Sequence, residues 1–212
     1  MKKTNLFLIA IILFAIASCS PSTKILGSWT SPSTPTEGYS SLFVTAITEN
    51  IVNRSVIEND LDAILNARDV EAQSSFDIIP AGYKASEGDK ERILSEIKST
   101  GAEAVLTVAL LDQTSETRYV PGTTMYSPMG YGGYYGRFYG YYSYYNPVMY
   151  DPGYYTTDKN FYIEINLYDV NTEELVWSAQ SETTNPSSIE SFSAAFSEIV
   201  VGQMLKDGVI VK

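Results

Sequence analysis

The chain has 212 residues with 14 Lys and Arg against 25 Asp and Glu, a formal net charge of −11, no His and one Cys. A balance this acidic offers no basic stripe for phosphates, which excludes non-specific nucleic-acid binding and makes anionic lipid headgroups poor partners. Without His the commonest general base and zinc ligand is missing, and a lone Cys forms no internal disulfide or Cys-based metal centre, so no cofactor is expected.

Lys2 and Lys3 precede a twelve-residue apolar run, Leu6 to Ala17. It is long enough for a signal-peptide core and short of the ~20 residues a spanning helix needs. Ile16-Ala17-Ser18-Cys19 follows and resembles the bacterial lipobox, in which an aliphatic and two small residues precede the Cys that receives a diacylglycerol. Two other readings stand beside it. Ala15-Ile16-Ala17 is also an A-x-A site for ordinary secretion, and the segment could stay as an uncleaved anchor. The lipobox reading implies a lipoprotein signal peptide over 1–18, a lipidated tether over 19–40 and an α/β domain over 41–212. Ser20, where Asp would hold a Gram-negative lipoprotein at the inner membrane, points to the outer membrane, facing the periplasm. The membrane is then reached through the lipid on Cys19.

The tether is rich in Ser, Thr and Pro, with Trp29 expected as its first docked residue. SLFVTAIT (41–48) is nearly continuous apolar, as a strand buried on both faces is. Val56, Ile57, Leu61, Ile64 and Leu65 then recur at helical spacing. Ser55 with Glu58 reads as a capping box near that helix's start, and Arg54 with Glu58 as an i,i+4 brace. FDIIP (76–80) reads as a second strand ended by Pro80.

Ser86 with Asp89 opens a second helix through Ile93, Leu94 and Ile97, and Gly101 sits where a C′ residue belongs. AEAVLTVALLDQ (102–113) reads as a central strand. NFYIEINLYDV alternates, NTEE (171–174) is a turn cluster, and ELVWSAQSET alternates back, giving an antiparallel hairpin. Ser187 with Glu190 is a third capping box, opening a helix with Ile189, Phe192, Phe196, Ile199 and Val200 on one stripe that ends before Gly208. The expected fold is a single α/β domain, βαβαβ-ββα, its mixed sheet packed by three helices.

Between the third and fourth expected strands, residues 121–157 hold 12 of the 17 Tyr and 7 of the 14 Gly, with only Arg137 and Asp151 charged. Tyr supplies a flat apolar face and a hydroxyl at low rotamer entropy, which binding loops exploit. Tyr131, Tyr134, Tyr135, Arg137, Tyr141, Tyr142, Tyr144 and Tyr145 are the candidate contact residues. The alternative is a self-associating low-complexity tip without a defined ligand.

Other matches are weak. The glycines from Gly130 to Gly136 mimic a phosphate loop but lack a preceding strand, a following helix and a Lys. Ser95 and Lys98 match S-x-x-K without its partner motifs. Asp169 to Glu173 echoes a calcium loop without its Gly or closing Glu, and reads as a hairpin turn. Glu58/Asp62, Asp89/Glu91 and Glu173/Glu174 are carboxylate pairs of the kind solvated helix faces carry.

Taken together, SW at 28–29, LFVTAI, Arg54 with Glu58, DVEAQSSFDIIP, STGAEAVLTVALLD, RYVPGT, the Tyr/Gly loop, NLYDVNTEELVWSAQSET and NPSS resemble an uncharacterised family of bacterial envelope lipoproteins. The topology is also similar to the amino-terminal domain of the Tol-system propeller protein, to lipoprotein activators of penicillin-binding proteins and to curli secretion-channel lipoproteins. The resemblance implies a non-catalytic binding or scaffolding role with an envelope protein or peptidoglycan as partner, and no catalytic residue. The alternatives are a glycan-binding module and a hydrolase acting on envelope glycans through carboxylates.

Overall fold

Strand β2, Ser41–Ile47, is apolar on both sides because helices cover both faces of the sheet at that point. The computed structural model describes residues 22–79, 89–120 and 154–211. They form β1 (Ser22–Thr30), β2, α1 (Ile51–Asn66), β3 (Glu71–Ser74), a 3-10 turn (Ser75–Asp77), α2 (Lys90–Ser99), β4 (Ala104–Val120), β5 (Tyr154–Asp169), β6 (Leu175–Thr184) and α3 (Ile189–Asp207). The sheet order is β1-β6-β5-β4-β2-β3. β2 is parallel to β3 and β4, while β6 is antiparallel to β5 and β1. The mixed α/β architecture with three helices is the one the sequence pattern implies.

Two units separate along the chain, 1–114 with 160–212 and 115–159. In the first, Leu42, Val44, Leu106, Ile165 and Trp177 meet Leu61 and Leu65 of α1 and Phe196, Val200 and Met204 of α3. On the opposite face Phe43 packs with Ile97, Ala102 and Val170, as strand alternation requires. In the second unit, the described strand ends are joined by the hydroxyls of Thr117 and Thr157 (3.2 Å) and by Arg118 with Asp158 (3.0 Å).

Several boundaries differ from expectation. Residues 22–30, expected within the tether, form the edge strand β1, whose backbone pairs with β6 from Ser22 opposite Thr184 to Thr30 opposite Trp177. Its polar composition hides it because an edge strand needs only one buried flank, here Ile25, and a bulge at Ile25/Gly27 interrupts its alternation. Trp29 is not docked but half exposed.

The strand expected at 76–80 lies earlier, at Glu71–Ser74, and Ser75–Asp77 turn away from the sheet. Helix α1 starts at Ile51 with Asn50 as cap, its Oδ1 accepting from Val52 N (3.0 Å) and Asn53 N (3.1 Å). Ser55 therefore lies inside the helix, and the expected capping box with Glu58 does not form. The last helix is capped by Ser188 with Ser191, one residue beyond the expected pair of Ser187 and Glu190. Gly101 and Gly208 do occupy left-handed backbone positions (φ +82° and +70°) past their helices. Tyr154 to Thr157, expected as loop, belong to β5.

Candidate apolar groove

From β2 the chain passes through α1 to β3 on one side, then crosses through α2 to β4 on the other. The carboxyl end of β2, which pairs with Val108 and Ala109 in the first half of β4, is therefore a topological switch point, where open α/β sheets leave a crevice. A groove of about 380 Å³ occupies it. Its floor comes from Ala46 of β2, Val108 and Leu110 of β4, and Phe161 and Ile163 of β5. Ile57 of α1 and Ile189 and Phe192 of α3 form its walls, with Ile47 and Pro186 at the ends. The ring of Phe192 is backed by Phe196, their centroids 5.2 Å apart.

Only Thr48, Asn53 and Ser188 bring polar side chains to this lining, and none of the lining residues titrates. Both α1 and α3 begin beside the groove, yet neither helix start is open to an anion. The Asn50 side chain accepts the first free N–H groups of α1, and Ser188 Oγ accepts from Ser191 N at 3.2 Å. The Glu190 carboxylate already sits at the start of α3. Hydrogen bonds from its own backbone N–H and the Ser188 hydroxyl hold its carboxyl below the ordinary value. The arrangement suits carbon contacts and not phosphate or carboxylate capture.

Beside the groove lies a buried ionic cluster. Glu58 is fully buried and Arg54 nearly so, with Nε to Oε1 at 3.0 Å. Glu58 Oε1 also accepts from Ala46 N (2.9 Å) and Ser75 Oγ (2.7 Å), and Oε2 from Ser74 Oγ (2.5 Å) and Phe76 N (2.9 Å). Arg54 Nη2 donates to Ser75 Oγ (2.8 Å) and the Ile79 carbonyl (3.1 Å), with the guanidinium over the Phe76 ring. With five donors on one carboxylate no lone pair is spare for base chemistry. The cluster clamps α1 to the ends of β2 and β3 and so positions the groove wall.

The sequence pattern paired Arg54 with Glu58 as a helix brace but put Glu58, with Asp62, on a solvated helix face. The missed signal is their spacing: 54, 58, 61 and 65 form one helical stripe with the buried Leu61 and Leu65. Cys19 and the candidate contact residues Tyr131, Tyr134, Tyr135, Arg137, Tyr141, Tyr142, Tyr144 and Tyr145 lie outside the described residues. Ser95 and Lys98 are exposed on α2. Asp169 caps a hairpin turn, its Oδ1 accepting from Asn171 N (2.9 Å) and Thr172 N (2.8 Å). Among the described residues no group of three or more His, Cys, Asp or Glu could hold a metal ion, and no helix is long and apolar enough to cross a membrane.

No family model and no curated protein matches the sequence. Among solved structures the chain is similar to the PelC dodecamer from Paraburkholderia phytofirmans, at 16% identity and a TM-score of 0.44 over 84% of this chain and 96% of that one. It is also similar to lipoprotein GNA1162 from Neisseria meningitidis, at 12% identity and a TM-score of 0.39 over 79% of this chain and 99% of that one. At these values the likenesses carry no functional argument.

Proposed function

We propose that this protein is a lipid-anchored component of the bacterial cell envelope, held at the outer membrane through Cys19, that acts by non-catalytic binding or scaffolding. The observation that carries the binding half is the groove lining, which offers carbon surface and three neutral polar side chains. Such a surface holds an apolar group by burial and dispersion and presents no acid or base to it. The anchor half rests on the lipobox at Ile16 to Cys19. The Tyr-rich segment 121–157 is the proposed contact for an envelope partner, on composition alone.

The test is crosslinking in the native envelope, comparing the intact chain with one whose residues 124–155 are replaced by a short Gly/Ser linker. Loss of a specific crosslinked protein is the expected result. Loss of binding to isolated peptidoglycan instead would favour a glycan-binding module, and identical behaviour of both chains would remove the segment from the proposal.

A further inference from the structure

Four large apolar side chains are exposed in or next to the groove, each 51–63% exposed: Ile47 and Leu110 in its lining, and Ile51 and Val52 just ahead of the lining Asn53 in the chain. Ile47 ends β2, Ile51 and Val52 open α1, and Leu110 continues the apolar row of β4 beyond the helices. A soluble surface seldom gathers this much apolar side chain beside an apolar cavity unless something covers it.

The strand register shows where the amino-terminal segment leaves the sheet. Thr23 pairs with Thr183, and Thr183 pairs with Phe161, a residue of the groove floor. With strands ~4.8 Å apart, the Thr23 backbone lies about 10 Å from that of Phe161. β1 begins at this same end of the sheet, with Ser22 opposite Thr184, just before Pro186 in the lining. Cys19 stands four residues ahead of Thr23, and four residues reach at most ~14 Å.

We infer that this end of the domain lies against the membrane leaflet that holds the Cys19 lipid, with Ile47, Ile51, Val52 and Leu110 in the acyl region and a lipid tail in the groove. The inference rests on the proposed lipid anchor and deepens it. A leash this short cannot let the groove end stand far from the leaflet, so the apolar mouth and the bilayer share one small volume. The chemistry agrees: the patch is carbon, and the one acid in the β2–α1 turn, Glu49, is exposed and remains at headgroup level. The full chain's net charge of −11, which becomes more negative when Lys2 and Lys3 leave with the signal peptide, makes a zwitterionic leaflet the matching surface. The contact adds apolar area to the anchor without requiring a basic patch.

Because Cys19 is the only Cys and its thiol is consumed by the lipid, an introduced Cys is the sole reactive thiol. The lipidated full chain, as Ile51→Cys, Val52→Cys or Glu71→Cys, is spin-labelled and reconstituted in phosphatidylcholine vesicles. Glu71 is exposed at the opposite end of the sheet, beside Ser41. Docking predicts that oxygen collisions dominate at 51 and 52 and that a water-soluble nickel chelate dominates at 71. Chelate-dominated labels at all three positions would overturn it. So would spin–spin broadening at 51 that disappears on dilution with unlabelled protein, which assigns the patch to a second copy. In cells, Cys19→Ser separates the two levels. Release from the membrane fraction with a chelate-exposed label at 51 sinks the docking alone, whereas retention of Cys19→Ser sinks the anchor and the leash with it.

Discussion

The backbone N–H of Ala46 donates to the carboxylate of Glu58 at 2.9 Å, tying the last turn of a parallel strand to the middle of the helix that follows it. Ala46 lines the groove and Glu58 is fully buried. A saturated ionic cluster therefore holds the shape of an apolar site without entering it. Glu58→Ala should lower stability by about 3–5 kcal/mol, because Arg54 and four other donors lose their shared acceptor while remaining buried. The double variant Arg54→Met with Glu58→Leu should be less damaging than Glu58→Ala alone, since no uncompensated charge is left. Urea midpoints at unchanged m-value measure both.

Gly38 and Gly208 separate two reasons for a glycine. Both have positive φ, +75° and +70°. A Cβ on Gly208 meets nothing within 4 Å, whereas one on Gly38 falls 2.6 Å from the Ile210 carbonyl carbon. Gly208→Ala should cost only the left-handed penalty, ~1–2 kcal/mol. Gly38→Ala should cost at least ~1–3 kcal/mol more, because the Tyr39–Ile210 bridge, closed by Tyr39 N to Val209 O (3.0 Å) and Val211 N to Tyr39 O (3.1 Å), must open. Thermal unfolding of the two variants side by side checks the difference.

Acid should weaken the fold through two carboxylates. Burial alone pushes Asp169 upward, but hydrogen bonds from Thr172, Tyr39 and Asn171 outweigh it and hold its carboxyl below the ordinary 3.8. Asp207 behaves likewise, with burial outweighed by Trp177, Ser28, Gln203 and Lys206. A carboxyl depressed on folding contributes stability that is present above its unfolded value and lost as pH falls through the folded one. Stability should therefore be level above about pH 5 and decline below about pH 4. Asp169→Asn and Asp207→Asn should each flatten that decline. In the alkaline direction, burial and the bond to Asp169 hold the Tyr39 phenol above its ordinary 10.0. Its contribution is present below pH 10.0 and lost above it, and Tyr39→Phe should remove this alkaline loss.

The start of α1 carries both the groove wall and two of the exposed apolar side chains. Asn50→Ala removes the acceptor for Val52 N and Asn53 N and should destabilise the protein by about 1 kcal/mol. Amide exchange should rise first at residues 51–53, with little change at the start of α3, whose cap at Ser188 is separate.

The elements legible in the sequence are those whose burial repeats with a local period. The alternation of β5 and β6, the apolar run of β2 and the stripe of α3 announce themselves, as do Gly101 and Gly208 past their helices. β1 and β3 do not. STKILGSWT and EAQS join the sheet through backbone pairing to partners far away in sequence, which no local period records. The groove was also out of reach, because its lining comes from five separate segments and its apolar members look like ordinary core.

The sequence by itself determined the class of the fold, the helix ends marked by glycine, the acidic surface and the single thiol, because composition and local period are properties of neighbouring residues. Tertiary structure alone decided that Glu58 is buried and saturated and that a polar segment closes the sheet as β1. It also decided that the apolar groove opens at the end where that strand begins. Each of these depends on which distant segments meet, and that is set by packing and backbone pairing across the sheet.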